Sequence, residues 1–591
     1  MRDKKTAVIY GVNGPVIFLK GNTGFQMGEM VYVGSQRLVG EVISLTEDST
    51  TVQVFEETSG LKPGETVEGS SEAISVLLGP GMLNNIYDGI QRPLKEIAEQ
   101  SGRFISRGIS VTPLDTEKKW QVCITVNVGD IIHGGSVIAE TDETPSIIHK
   151  AMIPPDIAGG IVTKTAGDGM YTVLDPIVEV KLSTGQIRQF SLSQRWPIRI
   201  ARPVEKRFPA FEPLITGQRI LDAMFPIAKG GTACIPGGFG TGKTMTQHQI
   251  AKWSNADIIV YIGCGERGNE MTQVLEENSE LTDPRTGNPL MDRTILIANT
   301  SNMPVAAREA SIYTGLTMAE YYRDMGYDVA IMADSTSRWA EALRELSGRL
   351  EEMPAEEGYP AYLASRLSAF YERAGQMQTL NGSEGSVTII GAVSPQGGDF
   401  SEPVTMNTKR FVRCFWGLDK SLAYARHFPA IHWLTSYSEY LPDLSPWYSE
   451  NVDKKFIDYR NQLMALLNQE SALMEIVKLI GADVLPDDQK LTLEMARVIR
   501  LGFLQQNAFH PDDTCVPLIK QYHMMEVILA LNSKARELIA LGHPISVLRS
   551  TGIFDKIIAI KYDVPNDKPE MFSEYRKAIE YFYREVLEKN A

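Results

Sequence analysis

The sequence predicts a multidomain chain: an N-terminal antiparallel β-barrel, a β-rich insertion, a central P-loop α/β domain on a parallel sheet, and a C-terminal α-helical bundle. Three observations carry this. Residues 6–80 alternate apolar and polar in short runs punctuated by glycine. Residues 212–440 alternate apolar strands with helical stretches, and one strand leads straight into glycine-rich Gly237–Thr244. From 441 onward, charge, leucine and methionine recur at helical spacing. The length agrees: 591 residues exceed the ~250–300 at which single cores stop growing.

The barrel is expected over 1–80. Its strands are Ala7–Tyr10, Val16–Leu19, Met30–Val33, Leu38–Ile43 and Thr51–Phe55, with turns at Asn13-Gly14 and Pro63-Gly64. A connecting segment fills 81–112, with a helix expected over 82–102. Residues 113–190 form the β-rich insertion. Within it, Val128–Glu140 and Ile153–Val162 read as half of a biotin- or lipoyl-carrier hairpin sandwich. A carrier needs a lysine at the hairpin tip; Glu140–Pro145 has none and Lys150 comes several residues late. A structural β module is therefore expected.

The α/β domain is expected over 191–440. Its strands are Thr232–Ile235, Asp257–Ile262, Thr294–Ala298, Asp328–Ala333 and Ser386–Ile390. The helical domain takes 441–591.

Charge and composition exclude several classes. The net charge of −15 argues against a dedicated nucleic-acid binder, which needs a basic face. No run of 18 or more apolar residues appears, so no membrane-spanning helix is expected. The opening Met1–Lys5 is charged but lacks the apolar segment of a signal peptide. Five scattered cysteines with no C-x-x-C exclude zinc and disulfide frameworks and point to a reducing cytosol.

The chemistry begins at Gly237-Gly238-Phe239-Gly240-Thr241-Gly242-Lys243-Thr244, a complete G-x-x-x-x-G-K-T loop between an apolar strand and a helix opening at Met245. Backbone N–H groups and the helix N-terminus would converge there on phosphate, Lys243 would reach the β- and γ-phosphates, and the Thr244 hydroxyl would ligate Mg²⁺. Ligands of open α/β sheets gather at the carboxyl ends of strands. Two such ends carry acids. Glu266 follows the strand from 257. It is either the carboxylate that orients or deprotonates the attacking water, or a surface acid in a glycine-rich turn. Asp334 closes the strand from 328, as a direct or second-layer partner of Mg²⁺. Arg267, beside Glu266, is a candidate for contact with transition-state charge; Arg349 is a weaker one. Aromatics that could stack a base cannot be told from core aromatics on these grounds.

At this point the residues resemble a known family. Glu56–Gly60, Asp88–Leu94, Ile215–Arg219, the phosphate loop, Gly263–Glu270, Ala298–Val305, Ala333–Glu341 and Glu357–Ala361 together resemble the catalytic A subunit of prokaryotic V-type or A-type (vacuolar/archaeal-type) rotary ATPases, essentially from end to end. The insertion at 113–190 resembles the bulge domain of A subunits, which F-type β subunits and flagellar and secretion ATPases lack.

The resemblance implies roles. Lys243, Glu266 and Arg267 match catalytic positions. Gly237 through Met245 match nucleotide contacts, and Phe428 and Phe509 match the aromatics flanking adenine. Thr244 and Asp334 match Mg²⁺ positions, the aspartate through water. The substrate and product are ATP and ADP. The implied partners are a B subunit in an alternating A3B3 hexamer that donates an arginine finger, central-stalk subunits, a peripheral stalk and, indirectly, the membrane rotor sector, with no nucleic acid. Gly481–Asp488 resembles the loop facing the central stalk. The implied location is peripheral, on the cytoplasmic face of a membrane, in the soluble V1/A1 sector, with H⁺ or Na⁺ as the coupled ion. The alternatives are a Rho-like nucleic-acid-translocating ring ATPase and a non-catalytic nucleotide-binding ring subunit. Position 238 departs from the pattern: it is Gly where the family usually has Pro or Ala, and the extra freedom is expected to tune nucleotide affinity.

Overall fold

The computed structural model describes residues 5–21, 23–102 and 105–589. Met1–Lys4, most of the charged opening stretch, lie outside the described residues. The chain forms two compact units. One comprises the residues to Pro209, Gly230–Cys234 and Ala256–Val412; the other comprises Ala210–Lys229, Ile235–Asn255 and Arg413 onward.

In the first unit, six antiparallel strands close into a barrel, in the order Thr6–Asn13, Val16–Lys20, Ser49–Val54, Leu38–Leu45, Glu29–Val33 and Thr66–Ala73. Alternation decides which face turns inward: Val31, Val33, Ile17, Leu19, Val52 and Val67 fill the interior. Closure leaves no free strand edge.

The insertion is two four-stranded antiparallel sheets. One orders Ile147–Met152, Val137–Thr144, Trp120–Ile124 and Gly169–Tyr171; the other orders Ile131–Ile132, Gly160–Thr165, Val178–Leu182 and Ile187–Phe190. The tip of the first hairpin is Pro145-Ser146. Lys150 lies away from it, on the strand, and its ammonium donates to the Met325 carbonyl at 3.0 Å. That lysine is a structural tie, as a non-carrier module requires.

The central sheet runs Asn85–Tyr87, Thr294–Thr300, Ile258–Glu266, Asp328–Asp334, Glu384–Val393 and then the strand at Thr232. The first five are mutually parallel. The apolar runs of the four inner strands mark them as covered on both faces. The helix Val305–Asp324 packs on the sheet and is buried nearly throughout, charges included. Four of those charges are paired, Arg323 with Asp324, Arg202 with Asp324, Arg373 with Glu320, and Arg199 with Glu309 as well as with Glu41 of the barrel, while Arg308 donates to Ser301 O at 2.8 Å.

One element differs from expectation. Within 82–102 only Leu94–Ser101 is helical, while Asn85–Tyr87 is a strand on the edge of the parallel sheet. Asn84 and Gln91 take positive φ, and Pro93 caps the helix, so a helix cannot extend back through them.

The second unit is dominated by the helices Leu441–Asn451, Phe456–Ile480, Asp487–Val498, Leu518–Ala540, Ile553–Asp563 and Phe572–Lys589. It also contains the helix Lys243–Trp253, entered from the strand Thr232–Pro236, which carries the chain out of the first unit.

Candidate active site

The phosphate loop is built by a fully buried strand, Thr232–Pro236, a tight turn, and a helix that starts at Lys243. Gly240 (φ +75°) and Gly242 (φ +91°) occupy the left-handed region, Gly242 at the helix N-cap. Side chains there would strain the turn. The Lys243 ammonium donates to the carbonyls of Gly237 (2.8 Å) and Gly238 (3.2 Å), and the Thr241 hydroxyl donates to Gly238 O at 2.8 Å. No acidic residue stands in the helix's first turn, so its positive end is not cancelled locally.

The same unit holds a cavity of about 430 Å³, lined by Gly242, Met245, Gln249, Phe428, Phe509 and Tyr562 among others. Phe428 is 43% exposed and Phe509 is 92% exposed. Large aromatics exposed on the wall of a cavity that opens at the phosphate loop suit a planar base better than core packing. Phe239, in the loop itself, is also largely exposed.

The segment carrying Phe509 is held from behind. Buried Arg219 donates to the carbonyls of Phe503 (2.6 Å) and Gln505 (2.7 Å) and pairs with Asp513. Gln506 accepts from Arg219 N and donates to Gly217 O. Asp513 accepts from Asn507 N at 2.7 Å. Sequence reasoning singled out none of Gln506, Asp513 and Arg219 as functional; Arg219 appeared only as the last residue of the Ile215–Arg219 stretch.

The acids lie in the first unit. Glu266 ends the strand Ile258–Glu266 just after Gly265 (φ +72°), where the register against the neighbouring strand slips. Asp334 ends the adjacent strand opposite Gly263 and is 3% exposed. The Tyr261 hydroxyl donates to Asp334 Oδ2 at 3.2 Å. Burial, the neighbouring Asp334, and a hydrogen bond with Glu270 push the Glu266 carboxyl up to about 8, against the opposing pull of Arg338. Arg338 itself is paired with Glu341 at 2.8 Å. Arg267 is exposed at the start of the following helix. Arg349 forms an ion pair with Glu345 one turn earlier. Three carboxyl groups gathered at a strand edge, one of them deeply buried, suit a divalent cation, whose charge would relieve their repulsion. Among the described residues, no group of three or more His, Cys, Asp or Glu could hold a metal alone.

The structure thus gathers 237–245, Phe428 and Phe509 in one unit, and Glu266, Arg267 and Asp334 in the other.

Four family models match in chain order. They are the beta-barrel domain (9–70) of the ATP synthase alpha/beta family, the ATP synthase alpha/beta subunit barrel-sandwich domain (111–199), the nucleotide-binding domain of that family (217–438), and the C-terminal domain of V and A type ATP synthase (445–544). The V-type ATP synthase alpha chain 2 of Clostridium tetani is 59% identical over 587 residues, 99% of each chain. The A subunit of the A-type ATP synthase of Methanopyrus kandleri is 54% identical over 584 residues, 98% of each. The chain belongs to the V-type and A-type ATP synthase family. Within that family it falls with the alpha chains of the V-type and the A subunits of the A-type enzymes. A nucleic-acid-translocating ring ATPase is correspondingly disfavoured. The assembled ATPase EscN of an enteropathogenic E. coli type III secretion system shares the fold at a TM-score of 0.63 and 20% identity, covering 88% of this chain and 99% of that one. Membership in an ATP synthase family means assembly with other subunits, and no helix among the described residues is long and apolar enough to cross a membrane.

Proposed function

We propose that this chain is the catalytic A subunit of a rotary V/A-type ATPase, hydrolysing ATP or, in reverse, synthesising it, and coupling that reaction to H⁺ or Na⁺ movement. The presence in one chain of an intact phosphate loop and a cluster of Glu266, Glu270 and the buried Asp334 carries the reading. Non-catalytic nucleotide binding needs only the first.

In this reading the loop amides from Gly237 to Thr244 and the Lys243 ammonium hold the β- and γ-phosphates, while Met245, Phe428 and Phe509 hold the base. Phosphoryl transfer spreads charge over the equatorial oxygens, and Lys243 meets part of it. The Thr244 hydroxyl and, through water, Asp334 would hold Mg²⁺, which would supply further neutralisation of the phosphates. Glu266 orients the attacking water and, once a bound cation has offset the neighbouring carboxylates and left it ionised, receives its proton; a proton affinity close to the working pH suits that task. Arg267 steadies charge beside it. The remaining arginine comes from a B subunit, which alternates with this chain in an A3B3 ring. The C-terminal helices transmit site closure to a central stalk, on the cytoplasmic face of the membrane. The five segments 1–80, 81–112, 113–190, 191–440 and 441–591 are the functional divisions of this proposal.

The test is turnover by the reconstituted ring. Lys243→Ala is expected to lose both ATP binding and hydrolysis. Glu266→Gln is expected to keep ATP binding while turnover falls by about 10²–10⁴-fold. Undiminished hydrolysis by Glu266→Gln would overturn its assigned role.

A further inference from the structure

Gly238 is a glycine whose φ lies outside the left-handed region, so its backbone does not require one. Its open side is taken up by the far end of a neighbouring lysine. A Cβ built on Gly238 would stand 2.5 Å from Lys420 Cε and 3.3 Å from its ammonium nitrogen. The lysine side chain lies in the space that any larger residue at 238 would take.

The backbone that carries Lys420 is held in place. The segment 418–420 runs beside the phosphate loop in a defined register. Leu418 N donates to Pro236 O at 2.9 Å, and the Leu418 side chain covers Gly237, where a Cβ would approach it to 2.8 Å. Asp419 N donates to Ala430 O at 2.9 Å, pinning the segment from its other side. The Asp419 carboxylate then caps the helix Lys420–Tyr424 by accepting from Ser421 N and Leu422 N. Lys420 is therefore the first residue of a capped helix, two positions along from a residue bonded to the strand that feeds the loop. Lys243 reaches the carbonyl side of Gly238, and Lys420 covers its Cα side.

We propose that Lys420 is a second phosphate-loop lysine, matched to Gly238, and that it raises affinity for the nucleotide according to the phosphate charge. The proposal rests on the phosphate-loop reading above. Lys420 acts by adding positive potential at the loop and by covering its most pliable residue. Gly238 gives up the rigidity of a side-chain-bearing residue to admit it. The expected ligand is a nucleoside triphosphate in preference to a diphosphate, because the extra charge on the γ-phosphate gains most from an extra cation.

Binding of MgATP and MgADP to the full chain, measured by titration calorimetry, tests this. Lys420→Met, which keeps the stem and removes the charge, is expected to weaken ATP binding about three- to tenfold, in line with the loss of one unit charge beside the loop in a largely aqueous setting. ADP should be affected less, and the ATP effect should shrink in ~0.5 M salt. Lys420→Arg should hold wild-type affinity. Gly238→Ala should weaken ATP binding in the wild-type background by displacing the lysine. In the Lys420→Met background it should be neutral or tighten binding, because alanine makes the loop easier to order. Unchanged ATP affinity in Lys420→Met, or an equal effect of Gly238→Ala in both backgrounds, overturns the proposal while leaving the phosphate-loop reading intact. Unchanged ATP binding in Lys243→Ala would overturn that reading and this proposal with it.

Discussion

Arg219 and Asp513, 294 positions apart, form an ion pair in which both side chains are wholly buried. The same guanidinium bonds to two carbonyls of the segment leading to Phe509, and the same carboxylate accepts from Asn507 N. A buried ion pair adds little over an apolar one, but removing one partner strands the other charge. Arg219→Met is therefore expected to cost about 3–5 kcal/mol, and Arg219→Met with Asp513→Asn appreciably less. Urea unfolding of the two variants checks this; equal losses would mean that the pair works through packing alone.

Phe509 is the opposite case, since its ring is almost entirely solvent-exposed. Phe509→Ala should leave the unfolding midpoint unchanged and weaken both ATP and ADP by the same factor. Loss of one base–aromatic stack corresponds to about 1–3 kcal/mol. Equal effects on the two nucleotides separate this base contact from the charge-dependent effect expected at Lys420. A stability loss without an affinity change would return Phe509 to a packing role.

The residues that were legible in sequence are those whose job is local. The phosphate loop is eight consecutive positions, and its glycines are needed where φ turns positive at 240 and 242. Asp334 and Glu266 announced themselves by ending apolar runs, because strand ends are where sheet ligands gather. The residues that stayed hidden act through distant partners. Arg219 needs Asp513, and Gln506 needs Gly217, pairings that no periodicity reveals. Tyr261 read as one more apolar residue in Ile258–Ile262, since a hydroxyl aimed at the neighbouring strand's last residue leaves no mark on the pattern. The strand Asn85–Tyr87 was hidden differently. Three residues are too few to show a period, and only pairing with Thr294–Thr300 makes them a strand.

The Tyr261 hydroxyl is one hydrogen bond to a carboxylate proposed to act on Mg²⁺. A hydrogen bond to a charged group contributes about 1.5–3 kcal/mol, and here it orients Asp334. Tyr261→Phe should keep the fold, because the ring stays in its buried place. It should raise the Mg²⁺ concentration for half-maximal ATPase activity several-fold and change kcat at saturating Mg²⁺ much less. An ATPase whose Mg²⁺ dependence is unmoved would show that Asp334 needs no such orientation.

Two consecutive tyrosines of the helix Val305–Asp324 hold one hairpin of the insertion through groups that titrate in opposite senses. The Tyr321 hydroxyl bonds to His149 Nε2 at 3.1 Å, and the Tyr322 hydroxyl donates to Glu143 at 2.9 Å. Burial lowers the His149 imidazole to about 3 and raises the Glu143 carboxyl to about 7. His149 is neutral when folded, so its contribution is complete above its ordinary value of 6.5 and is lost as pH falls toward 3. Glu143 holds its proton when folded, so its contribution is complete below 4.5 and is lost as pH rises through 7. Between pH 4.5 and 6.5 the two slopes are each about 1.4 kcal/mol per pH unit and of opposite sign, so they cancel. His149→Gln should expose the Glu143 slope, giving an insertion that loses stability as pH rises from about 5 to 6.5. Glu143→Gln should do the reverse. Hydrogen exchange of the sheets holding Trp120–Ile124 and Val137–Thr144, corrected for intrinsic rates at each pH, reads both. Flat profiles in both variants would mean that neither group holds its shifted proton affinity in the folded chain.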